Sequence, residues 1–478
     1  MRLGELLRGV AYRGQAPLEA EVRLVTDDSR KVVPGSVFVC IEGAHFDGHS
    51  AAAEAIAKGA VCLIVRRDSF AAPQLFVQNT RAAYALLCAA FYGHPADGLT
   101  LVGVTGTNGK TTTAYLLKQI FDRAGYKTGL IGTMKNMVRE KEYSAELTTP
   151  DPWELQGLFR QMVDAGCTHC LMEASSQALD QHRLLGLRFK AGIFTNLTLE
   201  HMDYHKTFDR YLIAKRKLFL QSEIGITNLD DEYGLRMFEG TGLRQVTYSI
   251  ESDKADYTAK NVELRADGVD YVLVGKGRLG RVHFGMPAEF SVYNSMAAAC
   301  AALELGLEWP VVLEAIGACA GVPGRMEIVP IHKDYTVIID YAVTPDSLEK
   351  VLRVLRPTTK GRLIALFGCG GERDLRKRPI MGRIAAELAE VVIVSSDNPR
   401  SEDPDAIIAQ VLGGIGKTKA HVVSEPDRKK AVLLAMKMAK PGDTVLLAGK
   451  GHEDYQYVAE GKIPFSEREI VLDYAMNN

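Results

Sequence analysis

The amino-terminal part of the chain alternates short apolar runs with polar, glycine-containing turns. Up to residue 98 these runs (SVFVCI, AVCLIV and LFVQ) have the length and β-branched content of strands, and one alanine-rich stretch, AAAEAIAKGA, has helical composition. The polar stretch GHPADG then separates this region from the next. The pattern predicts a small α/β domain over residues 1–98.

A longer apolar period begins at residue 99. LTLVGV, a glycine-rich turn, the amphipathic stretch TTTAYLLKQIFDRAG and the run GLIG together predict the opening of a βαβ unit. CLMEAS and AGIFTNL predict further strands, and YLIAKRKLFL predicts a long helix. Short runs joined by glycine turns over residues 245–285 predict a small antiparallel sheet, and NSMAAACAALELGL predicts a helix after it. We assign this pattern to a central domain, residues 99–324.

From residue 325 onward, five apolar runs alternate with helical segments. The runs are TVIIDYA, RLIALFG, EVVIVSS, AHVVS and DTVLLAG. This alternation predicts a doubly wound, mostly parallel sheet over residues 325–478, with ligands beyond the carboxyl ends of its strands. Because 478 residues exceed what one hydrophobic core supports, the length predicts two to three domains, and the pattern along the chain divides it into three α/β domains. The central one would be of the P-loop ATPase type, and the carboxyl-terminal one Rossmann-like.

Composition narrows the function classes without selecting one. A net charge of -2 argues against a general binder of nucleic acid or of anionic membranes. Neither a basic-then-apolar leader nor an apolar run of membrane-spanning length occurs, so we expect a cytoplasmic protein. Of the eight cysteines, only Cys167 and Cys170 have a metal-like spacing. Without a second such pair, packing in a buried strand is favoured over zinc binding.

The turn after LTLVGV has the chemistry of a phosphate-binding loop. It comprises Gly106, Thr107, Asn108, Gly109, Lys110, Thr111 and Thr112. The glycines allow backbone N–H groups to face phosphate oxygens, Lys110 supplies a positive charge, and Thr111 offers a hydroxyl to Mg²⁺. The residue six positions before Lys110 is Val104 rather than glycine, so the full Walker pattern is incomplete. The alternative is a glycine-rich turn without a ligand.

The shortened loop TGTNGKT resembles that of the Mur ligases and folylpolyglutamate synthetases, a family of three-domain, ATP-dependent acid–amine ligases. The resemblance extends over nearly the whole chain through LTTPDP, MEASSQALDQHR, TNLTLEHMDYH, VPGRMEIV, DYAVTPDSLE, FGCGGERDLRKRP, DNPRSEDP and GKGHEDYQ. The amino-terminal segment DDSRKVVPGSVFVCIEGAHFDGH resembles the UDP-binding segment of the Mur ligases that add the third residue of the peptidoglycan stem peptide.

The resemblance implies a reaction and its substrates. ATP would activate a carboxylate of UDP-N-acetylmuramoyl-L-alanyl-D-glutamate as an acyl phosphate, which the amine of meso-diaminopimelate would then attack. Mg²⁺ is the implied cofactor. We expect a monomer that acts in the cytoplasm on small molecules, with neither nucleic acid nor membrane as a partner.

The resemblance also implies catalytic and metal-binding residues. The implied catalytic residues are Lys110, Glu173, His201 and Lys215. The implied Mg²⁺ ligands are Thr111, Glu173, His201 and Lys215 as a carbamate. From the residues alone, Glu173 is equally consistent with a helix cap, His201 with an exposed loop and Lys215 with a solvated helix face. Lys217 competes with Lys215 for carbamylation.

Two further sets of residues follow from the resemblance. UDP-substrate binding falls to Ser29, Arg30, Ala44, His45, Phe46, Thr148, Thr149, Ser175, Gln181 and Arg183. ATP binding falls to the phosphate loop and to Asn294, Arg325 and Asp340. The chain departs from the family pattern at Leu147 and Ser291, where asparagine is usual, and at Val343, where histidine is common. These departures affect individual contacts rather than the reaction class.

The polar stretch SSDNPR after VVIVSS is consistent with a turn, since the residue before proline avoids helix. The resemblance adds an amino-acid site there, with Arg400 as the clamp for the distal carboxylate that meso-diaminopimelate has and L-lysine lacks. The implied diaminopimelate-binding residues are Arg373, Asp397, Asn398, Pro399, Arg400, Gly449 and Glu453. The alternatives are a lysine-adding ligase, a folylpolyglutamate synthetase, which would lack the UDP segment, and a nucleotide-dependent switch protein without ligase activity.

Overall fold

The structure, a computed structural model, describes residues 1–43, 46–69, 71–198, 200–265, 267–319 and 321–477. Its contacts divide the chain into two compact units. The first unit contains Met1–Thr258 and Met296–Val312, and the second contains Ala259–Ser295 and Leu313–Asn478. None of the helices in the described residues combines the length and the apolar composition that crossing a bilayer requires.

The first unit begins with a five-stranded sheet. Its strands are β1 (Arg13–Gln15), β2 (Leu24–Thr26), β3 (Ser36–Val39), β4 (Cys62–Val65) and β5 (Gln74–Phe76), in the order β1-β5-β4-β3-β2. Its helices are α1 (Leu3–Leu6), α2 (Ala52–Ala57) and α3 (Thr80–Phe91). The predicted strands and helix α2 are confirmed, but the prediction of only one helix in this region is wrong. The sequence interpretation missed α3, which buries Tyr84 and Leu87 in the core beside this sheet.

The central sheet of the first unit carries the phosphate loop, which follows strand β6. Its strands are β6 (Thr100–Thr105), β7 (Thr128–Ile131), β8 (Lys135–Val138), β9 (Lys141–Ser144), β10 (His169–Glu173), β11 (Phe189–Phe194), β12 (Ser222–Asn228) and β13 (Arg244–Ser249). Its helices are α4 (Lys110–Arg123), α5 (Pro152–Asp164), α6 (Ser176–Asp180), α7 (Met202–His205) and α8 (Phe208–Phe219). Strand β6 lies between β10 and β11, and all three are parallel. The loops that follow them therefore meet at one edge of the sheet.

The prediction of an antiparallel sheet over residues 245–285 is partly wrong. Strand β13, which contains TYS, is parallel to β12, and it pairs in parallel with the start of β14 (Tyr257–Arg265). In the second unit, β15 (Gly268–Gly275) and β16 (Arg278–Phe284) form the antiparallel hairpin that the glycine turns indicated. Periodicity alone does not separate these pairings, because a short apolar run fits either kind of sheet. Helices α9 (Glu289–Glu304) and α10 (Trp309–Gly317) follow.

The carboxyl-terminal sheet of the second unit confirms the predicted alternation. Its strands are β17 (Glu327–Ile328), β18 (Thr336–Asp340), β19 (Leu363–Phe367), β20 (Val391–Ser395), β21 (His421–Glu425) and β22 (Thr444–Ala448), in the order β17-β18-β22-β19-β20-β21. All except β17 are parallel. The helices are α11 (Pro345–Thr358), α12 (Lys377–Leu388), α13 (Pro404–Leu412), α14 (Arg428–Met438) and α15 (Glu467–Asn477). The hairpin of β23 (Tyr455–Val458) and β24 (Gly461–Pro464) was not predicted.

Candidate active site

The phosphate loop connects β6 to α4, as the sequence predicted. Gly109, at the amino end of α4, has a φ of 85°, a value that side chains rarely permit. A Cβ at Gly106 would collide with the hydroxyl of Thr195, so close packing requires glycine there as well. The Lys110 amine donates hydrogen bonds to the carbonyl oxygens of Gly106 at 3.0 Å and Thr107 at 2.8 Å. The lysine is thus folded against its own loop.

The segment after β11 anchors this loop. The Asn108 backbone N–H donates to the side-chain oxygen of Asn196 at 3.0 Å, and the Thr195 hydroxyl donates to the Asn108 carbonyl at 2.6 Å. The Thr107 hydroxyl lies 3.1 Å from the Tyr211 hydroxyl of α8. These contacts join the loop to the segment after β11 and to α8.

Glu173 lies at the centre of a cluster of oxygen atoms. It ends β10 and is 1% exposed. Its Oε2 accepts hydrogen bonds from the hydroxyls of Thr111 at 3.0 Å and Thr133 at 3.1 Å, and its Oε1 accepts one from the Thr133 N–H at 2.8 Å. A carboxylate and a hydroxyl, both hard oxygen donors, fit Mg²⁺, which takes one or two carboxylates together with phosphate and water oxygens. A cap or a solvated end does not describe this buried side chain.

Lys215 and Lys217 lie in different environments on α8. Lys215 is 1% exposed, its amine donates to the Gly106 carbonyl at 2.7 Å, and it lies 4.6 Å from the centroid of the Tyr211 ring. Burial, reinforced by the positive charge of Lys110, lowers its pKa well below the usual value. Lys217 instead forms an ion pair of 3.1 Å with Asp180 near the surface. The solvated-face interpretation of Lys215 is therefore wrong.

His201 precedes α7 and is only partly buried. Its φ is 58°, and its ring lies 6.1 Å, edge to face, from the ring of Tyr211. Its Nε2 is 3.9 Å from a carboxylate oxygen of Glu200. The Tyr211 ring therefore adjoins both His201 and the Lys215 amine.

Five predicted substrate residues lie around Glu173 or beside it. The Thr148 hydroxyl is 3.0 Å from the Thr133 hydroxyl, and the Thr149 hydroxyl donates to the Glu173 carbonyl at 2.8 Å. The Ser175 N–H donates to the Thr149 hydroxyl at 3.0 Å. These bonds connect the loop after β9 to the end of β10.

Arg183 and Gln181 are the other two predicted substrate residues near Glu173. The Arg183 guanidinium donates to the Thr149 carbonyl at 2.8 Å and to the Gln181 side-chain oxygen at 2.9 Å, and it lies 3.1 Å from the Asp151 carboxylate. The arginine is thereby oriented by protein groups. The departure at Leu147 leaves an apolar side chain that is 40% exposed in the same loop.

The predicted uridine residues that the structure describes lie in segments that follow strands β2 and β3 of the amino-terminal sheet. Ser29 and Arg30 belong to a short 3-10 helix capped by Asp28, and the Arg30 side chain forms a bidentate pair with Asp28, with two distances of 2.9 Å. Phe46 is 58% exposed. Ala44 and His45, also predicted to bind this substrate, lie outside the described residues.

A histidine–carboxylate cluster next to Phe46 has the composition of a metal site but not its chemistry. Glu42, Asp47 and His49 bring ligand atoms within 4.8 Å of one another. However, the His49 Nε2 accepts a hydrogen bond from the Arg66 N–H at 3.2 Å, and its Nδ1 contacts Asp47 at 2.7 Å. Both ring nitrogens are therefore engaged, and the cluster holds the loop that carries Phe46.

The predicted nucleotide residues of the second unit lie at two places. Asn294 is buried within α9. The Arg325 guanidinium stacks on the Tyr341 ring, 4.9 Å from its centroid. Asp340 ends β18 and accepts a hydrogen bond from the Met326 N–H at 2.8 Å. Burial raises the pKa of Asp340 to about 6, against the opposing effect of the Arg325 charge.

Two departures from the family pattern lie in the same unit. The Ser291 hydroxyl donates to the Pro287 carbonyl at 2.7 Å, an ordinary bond within a helical turn. Val343 contributes its backbone carbonyl, which accepts a hydrogen bond from Lys377 at 2.9 Å. At position 343 the backbone therefore makes a polar contact that does not depend on the side chain.

The stretch SSDNPR begins where β20 ends, at Ser395. Asp397 and Asn398 are buried, whereas Arg400 is partly exposed and has a φ of 55°. The Arg400 guanidinium donates to the Gly371 carbonyl at 2.7 Å, and the backbone N–H of Arg400 donates to the Tyr457 carbonyl of β23 at 3.0 Å. The segment is thus both a turn after a strand and an ordered group of polar side chains.

The remaining predicted residues of this group lie on neighbouring loops. The Asn398 amide donates to the Glu453 carboxylate at 2.9 Å. A Cβ on Gly449, whose φ is 118°, would approach the Asp397 carboxylate to 3.0 Å. Arg373 is exposed in the loop after β19, and its side chain lies close to Gly370, as does that of Arg400. The loops after β19, β20 and β22 thus meet at one sheet edge.

Comparison with known proteins identifies the family. Residues 104–302 match the Mur ligase middle domain, residues 324–451 the Mur ligase glutamate ligase domain, and residues 21–92 the Mur ligase family catalytic domain. A relative from Clostridium acetobutylicum named UDP-N-acetylmuramoyl-L-alanyl-D-glutamate--2,6-diaminopimelate ligase 1 is 43% identical over 99% of both chains. The chain belongs to the Mur ligase family.

Other Mur ligases give the same result. A Clostridium perfringens protein named UDP-N-acetylmuramoyl-L-alanyl-D-glutamate--2,6-diaminopimelate ligase is 41% identical over 99% of both chains. A solved structure of a ligase with this name aligns with a TM-score of 0.73 and 29% identity, covering 100% of this chain and 99% of the other. The expected three-domain α/β fold of the Mur ligases is thereby confirmed.

Several residues of this Mur ligase site were not predicted from sequence. Thr133 and Asn196 follow the ends of β7 and β11, so their position after a strand was a usable signal. Tyr211 and Lys450 carried no such signal, because an aromatic residue on a helix and a lysine in a glycine-rich turn are common without a function. Cys167 and Cys170 lie in the hydrophobic core, where burial raises the pKa of both thiols.

Proposed function

We propose that this Mur ligase joins meso-2,6-diaminopimelate to UDP-N-acetylmuramoyl-L-alanyl-D-glutamate with ATP, in peptidoglycan precursor synthesis. The observation that carries the proposal is the DNPR segment at the end of β20, within a chain 43% identical over nearly its whole length to a ligase of that name. One substrate is linked to UDP and the reaction consumes ATP, so we propose that the enzyme acts in the cytoplasm. We propose domain limits at 98/99 and 324/325.

The phosphate loop would bind the ATP phosphates. The glycine-rich turn presents N–H groups at the start of α4, and the adjoining Lys110 supplies a full positive charge. A lysine held at 2.8 Å and 3.0 Å by loop carbonyls is already close to where phosphate oxygens would lie. Binding would exchange these neutral partners for anionic ones. The chain contributes placement and charge rather than a covalent bond to the substrate.

Thr111 and Glu173 would hold Mg²⁺, with His201 as a further ligand. The hydrogen bond of 3.0 Å between Thr111 and Glu173 supports this assignment, because both oxygens already face the same space. When bound, Mg²⁺ would supply charge neutralisation for phosphate oxygens. Thr133 would orient the Glu173 carboxylate from the opposite side.

Lys215 would act as a carbamate. A buried amine with a lowered pKa has the neutral form needed to add CO₂, with formation of an N–C bond and release of a proton. The product is an anion whose oxygen atoms suit Mg²⁺, which prefers hard oxygen ligands to an amine nitrogen. Lys217 is a weaker candidate, because its amine is engaged in an ion pair with Asp180 near the surface.

The reaction would proceed in two steps. A carboxylate oxygen of the D-glutamyl residue attacks the terminal phosphorus of ATP, ADP leaves, and an acyl phosphate forms. The amine of the incoming amino acid then attacks the acyl carbon, inorganic phosphate leaves, and the amine proton passes to solvent. Thr148, Thr149, Ser175, Gln181 and Arg183 would position the first substrate, with Ser29, Arg30 and the loop containing Phe46 at its uridine end.

At the other end of ATP, Asn294 would face the adenine, Arg325 a phosphate and Asp340 the ribose. Two of these side chains are restricted. Arg325 stacks on the Tyr341 ring, and Asp340 accepts a hydrogen bond from the Met326 N–H. Restricted side chains lose little conformational freedom on binding, which favours this assignment.

Arg400 would select the amino acid. A planar guanidinium pairs with a carboxylate through two hydrogen bonds, and an amino acid without the distal carboxylate leaves it unsatisfied. Arg373 would contact a second carboxylate and Glu453 the distal ammonium, with Asp397, Asn398, Pro399 and Gly449 shaping the rest. L-Lysine lacks the distal carboxylate and would be rejected.

A component-omission assay tests the proposal. Release of phosphate should require ATP, the UDP-linked dipeptide and the amino acid together, with Mg²⁺ present. Release of phosphate from ATP alone, unchanged by the other two substrates, would favour a switch protein. Ligation of glutamate to a folate would favour the folylpolyglutamate alternative. Equal kcat/KM for L-lysine and meso-diaminopimelate would disprove the assignment of the amino acid.

A further inference from the structure

The side chain of Lys450 is completely buried in the second unit, immediately beyond the end of β22. Its relative exposure is 0%. The Lys450 amine donates hydrogen bonds to the Asn398 side-chain oxygen at 2.8 Å and to the Glu453 Oε2 at 2.7 Å. It also lies 3.9 Å from the Asp397 carboxylate. Three of the residues proposed to bind the amino acid therefore surround one buried ammonium group.

These contacts form a closed network. The Asn398 amide nitrogen donates to the same Glu453 Oε2 that accepts from Lys450, at 2.9 Å. The Asn398 oxygen accepts from Lys450 and also from the Tyr457 N–H of β23, at 2.8 Å. Because both ends of the amide are engaged, the orientation of Asn398 is determined. Removing Lys450 would release one contact of Asn398 and one of Glu453 together.

The charges give Lys450 a second role. The carboxylates of Asp397 and Glu453 are both largely buried, with side-chain exposures of 8% and 11%. Without a cation between them, two such carboxylates would repel each other and would be poorly solvated. With Lys450 the group retains one excess negative charge, which suits the ammonium group of an amino acid. Lys450 therefore both holds these side chains in place and balances part of their negative charge.

The β23–β24 hairpin supports the network from the other side. The Gln456 amide donates to the Asp397 carbonyl at 2.6 Å, and the Arg400 N–H donates to the Tyr457 carbonyl at 3.0 Å. Lys450 also lies 5.4 Å from the centroid of the Tyr455 ring. The lysine is therefore enclosed by the loop after β22, the loop after β20 and the hairpin, and protein groups occupy each of these sides.

We propose that Lys450 is a positioning residue for amino-acid selection, acting through Asn398 and Glu453 without contacting the amino acid itself. This inference rests on the proposed function, since it assigns the pocket after β20 to the amino acid. It predicts that loss of the ammonium group weakens amino-acid binding selectively. It also predicts that an added amine cannot restore the geometry as well as a tethered cation can.

Steady-state kinetics of Lys450→Met and Lys450→Arg, with all three substrates varied in turn, test the inference. The wild-type protein is first measured with meso-diaminopimelate and with L-lysine, and the variants are then measured with whichever amino acid it uses. Lys450→Met should raise the KM for the amino acid by about tenfold or more, while the KM for ATP and for the UDP-linked dipeptide stays within about twofold. Lys450→Arg should recover part of the loss.

A matched control separates positioning from general loss of stability. Arg362 is also a cation in an ion pair of the second unit, at 2.6 Å from the buried carboxylate of Asp443, but it is partly exposed and lies at the opposite end of the strands. Arg362→Met should lower the thermal stability without changing the ratio of the KM values. If Lys450→Met does not fold, Lys450→Arg carries the test alone: it should raise the KM for the amino acid by a smaller factor and leave the KM for ATP and for the UDP-linked dipeptide within about twofold.

The outcomes distinguish this inference from the proposed function. A wild-type protein that ligates neither amino acid overturns both. A wild-type protein that ligates one of them, with Lys450 variants whose KM values for all three substrates change equally or not at all, overturns only the role of Lys450. A selective rise for the amino acid, absent in Arg362→Met, supports it.

Discussion

The side-chain amine of Lys215 lies 2.7 Å from the carbonyl oxygen of Gly106, the first glycine of the phosphate loop. The two residues are 109 positions apart in the chain, and α8 brings the lysine beneath the loop. A buried amine with a lowered pKa at this point is a chemical group that the surface of a helix would not provide. The group proposed to become a carbamate is therefore hydrogen-bonded to the phosphate loop.

Replacing Lys215 should strongly reduce catalysis, whereas replacing Lys217 should not. We expect Lys215→Ala to lower kcat by about 100-fold or more, because an anionic group that orders charge in the site is lost. Lys217→Ala should stay within about threefold, since its ion pair is near the surface. Added acetate should partly restore Lys215→Ala by occupying the space of the carbamate. A ¹³C NMR signal from labelled bicarbonate in the wild type, absent in Lys215→Ala, would establish the modification.

An active Lys215→Arg variant would contradict this prediction. Arginine keeps a positive charge at the position but does not form a carbamate. Activity close to that of the wild type would show that a cation suffices there.

Glu173→Gln should weaken the metal site selectively. The substitution keeps the size of the side chain but removes the charge that faces the Thr111 hydroxyl at 3.0 Å. We expect kcat to fall by about 100-fold and the Mg²⁺ concentration for half-maximal activity to rise by about tenfold. Glu140→Gln is the control, because this glutamate is 86% exposed in the same unit. An unchanged Mg²⁺ requirement in Glu173→Gln would remove Glu173 from the metal site.

Arg400→Lys should impair the use of meso-diaminopimelate far more than the binding of ATP. Lysine keeps the charge but lacks the planar fork that pairs with a carboxylate at two points. We expect kcat/KM for meso-diaminopimelate to fall by about 100-fold, with the KM for ATP within about twofold. Arg376→Ala, which removes an arginine with 85% side-chain exposure from the same unit, should have little effect. Equal losses for both substrates would indicate disruption of the loop instead.

Asp340→Asn should stabilise the protein while weakening ATP binding. The folded pKa of about 6 exceeds the ordinary 3.8, so between these values the folded state holds a proton that the unfolded chain has released. The free energy of unfolding therefore falls as pH rises through this window and stays lower above it. Removing the charge should raise the free energy of unfolding at pH 8 by about 3 kcal/mol.

Chemical denaturation at about pH 8 and about pH 4 tests the sign of this effect. The gain should be largest at the higher pH and should shrink at the lower one, where wild-type Asp340 is protonated. Asp346→Asn, on the exposed face of α11, is the control. The KM for ATP should rise in Asp340→Asn only. A variant less stable than the wild type at pH 8 would contradict the prediction.

The chain order of strands and helices was largely legible in the sequence, because buried parallel strands are continuous apolar runs separated by helical periodicity. β6, α4 and β7, and then β18 to β22, were predicted in this way. Helix α3 was missed, although its burial pattern is clear in the structure. The direction of β13 was also wrong, because pairing direction depends on which strands become neighbours.

The sequence by itself predicted the glycine-rich loop between β6 and α4, because a glycine-containing turn between an apolar run and an amphipathic stretch indicates a strand, a loop and a helix. It also determined the family, through motifs in a fixed order. Only the tertiary structure decided that Lys215 is buried, while Lys217 two positions later pairs with Asp180. It alone joined Lys450 to Asn398 across 52 residues. Burial and hydrogen-bond partners depend on what packs from distant parts of the chain, and local sequence does not carry that information.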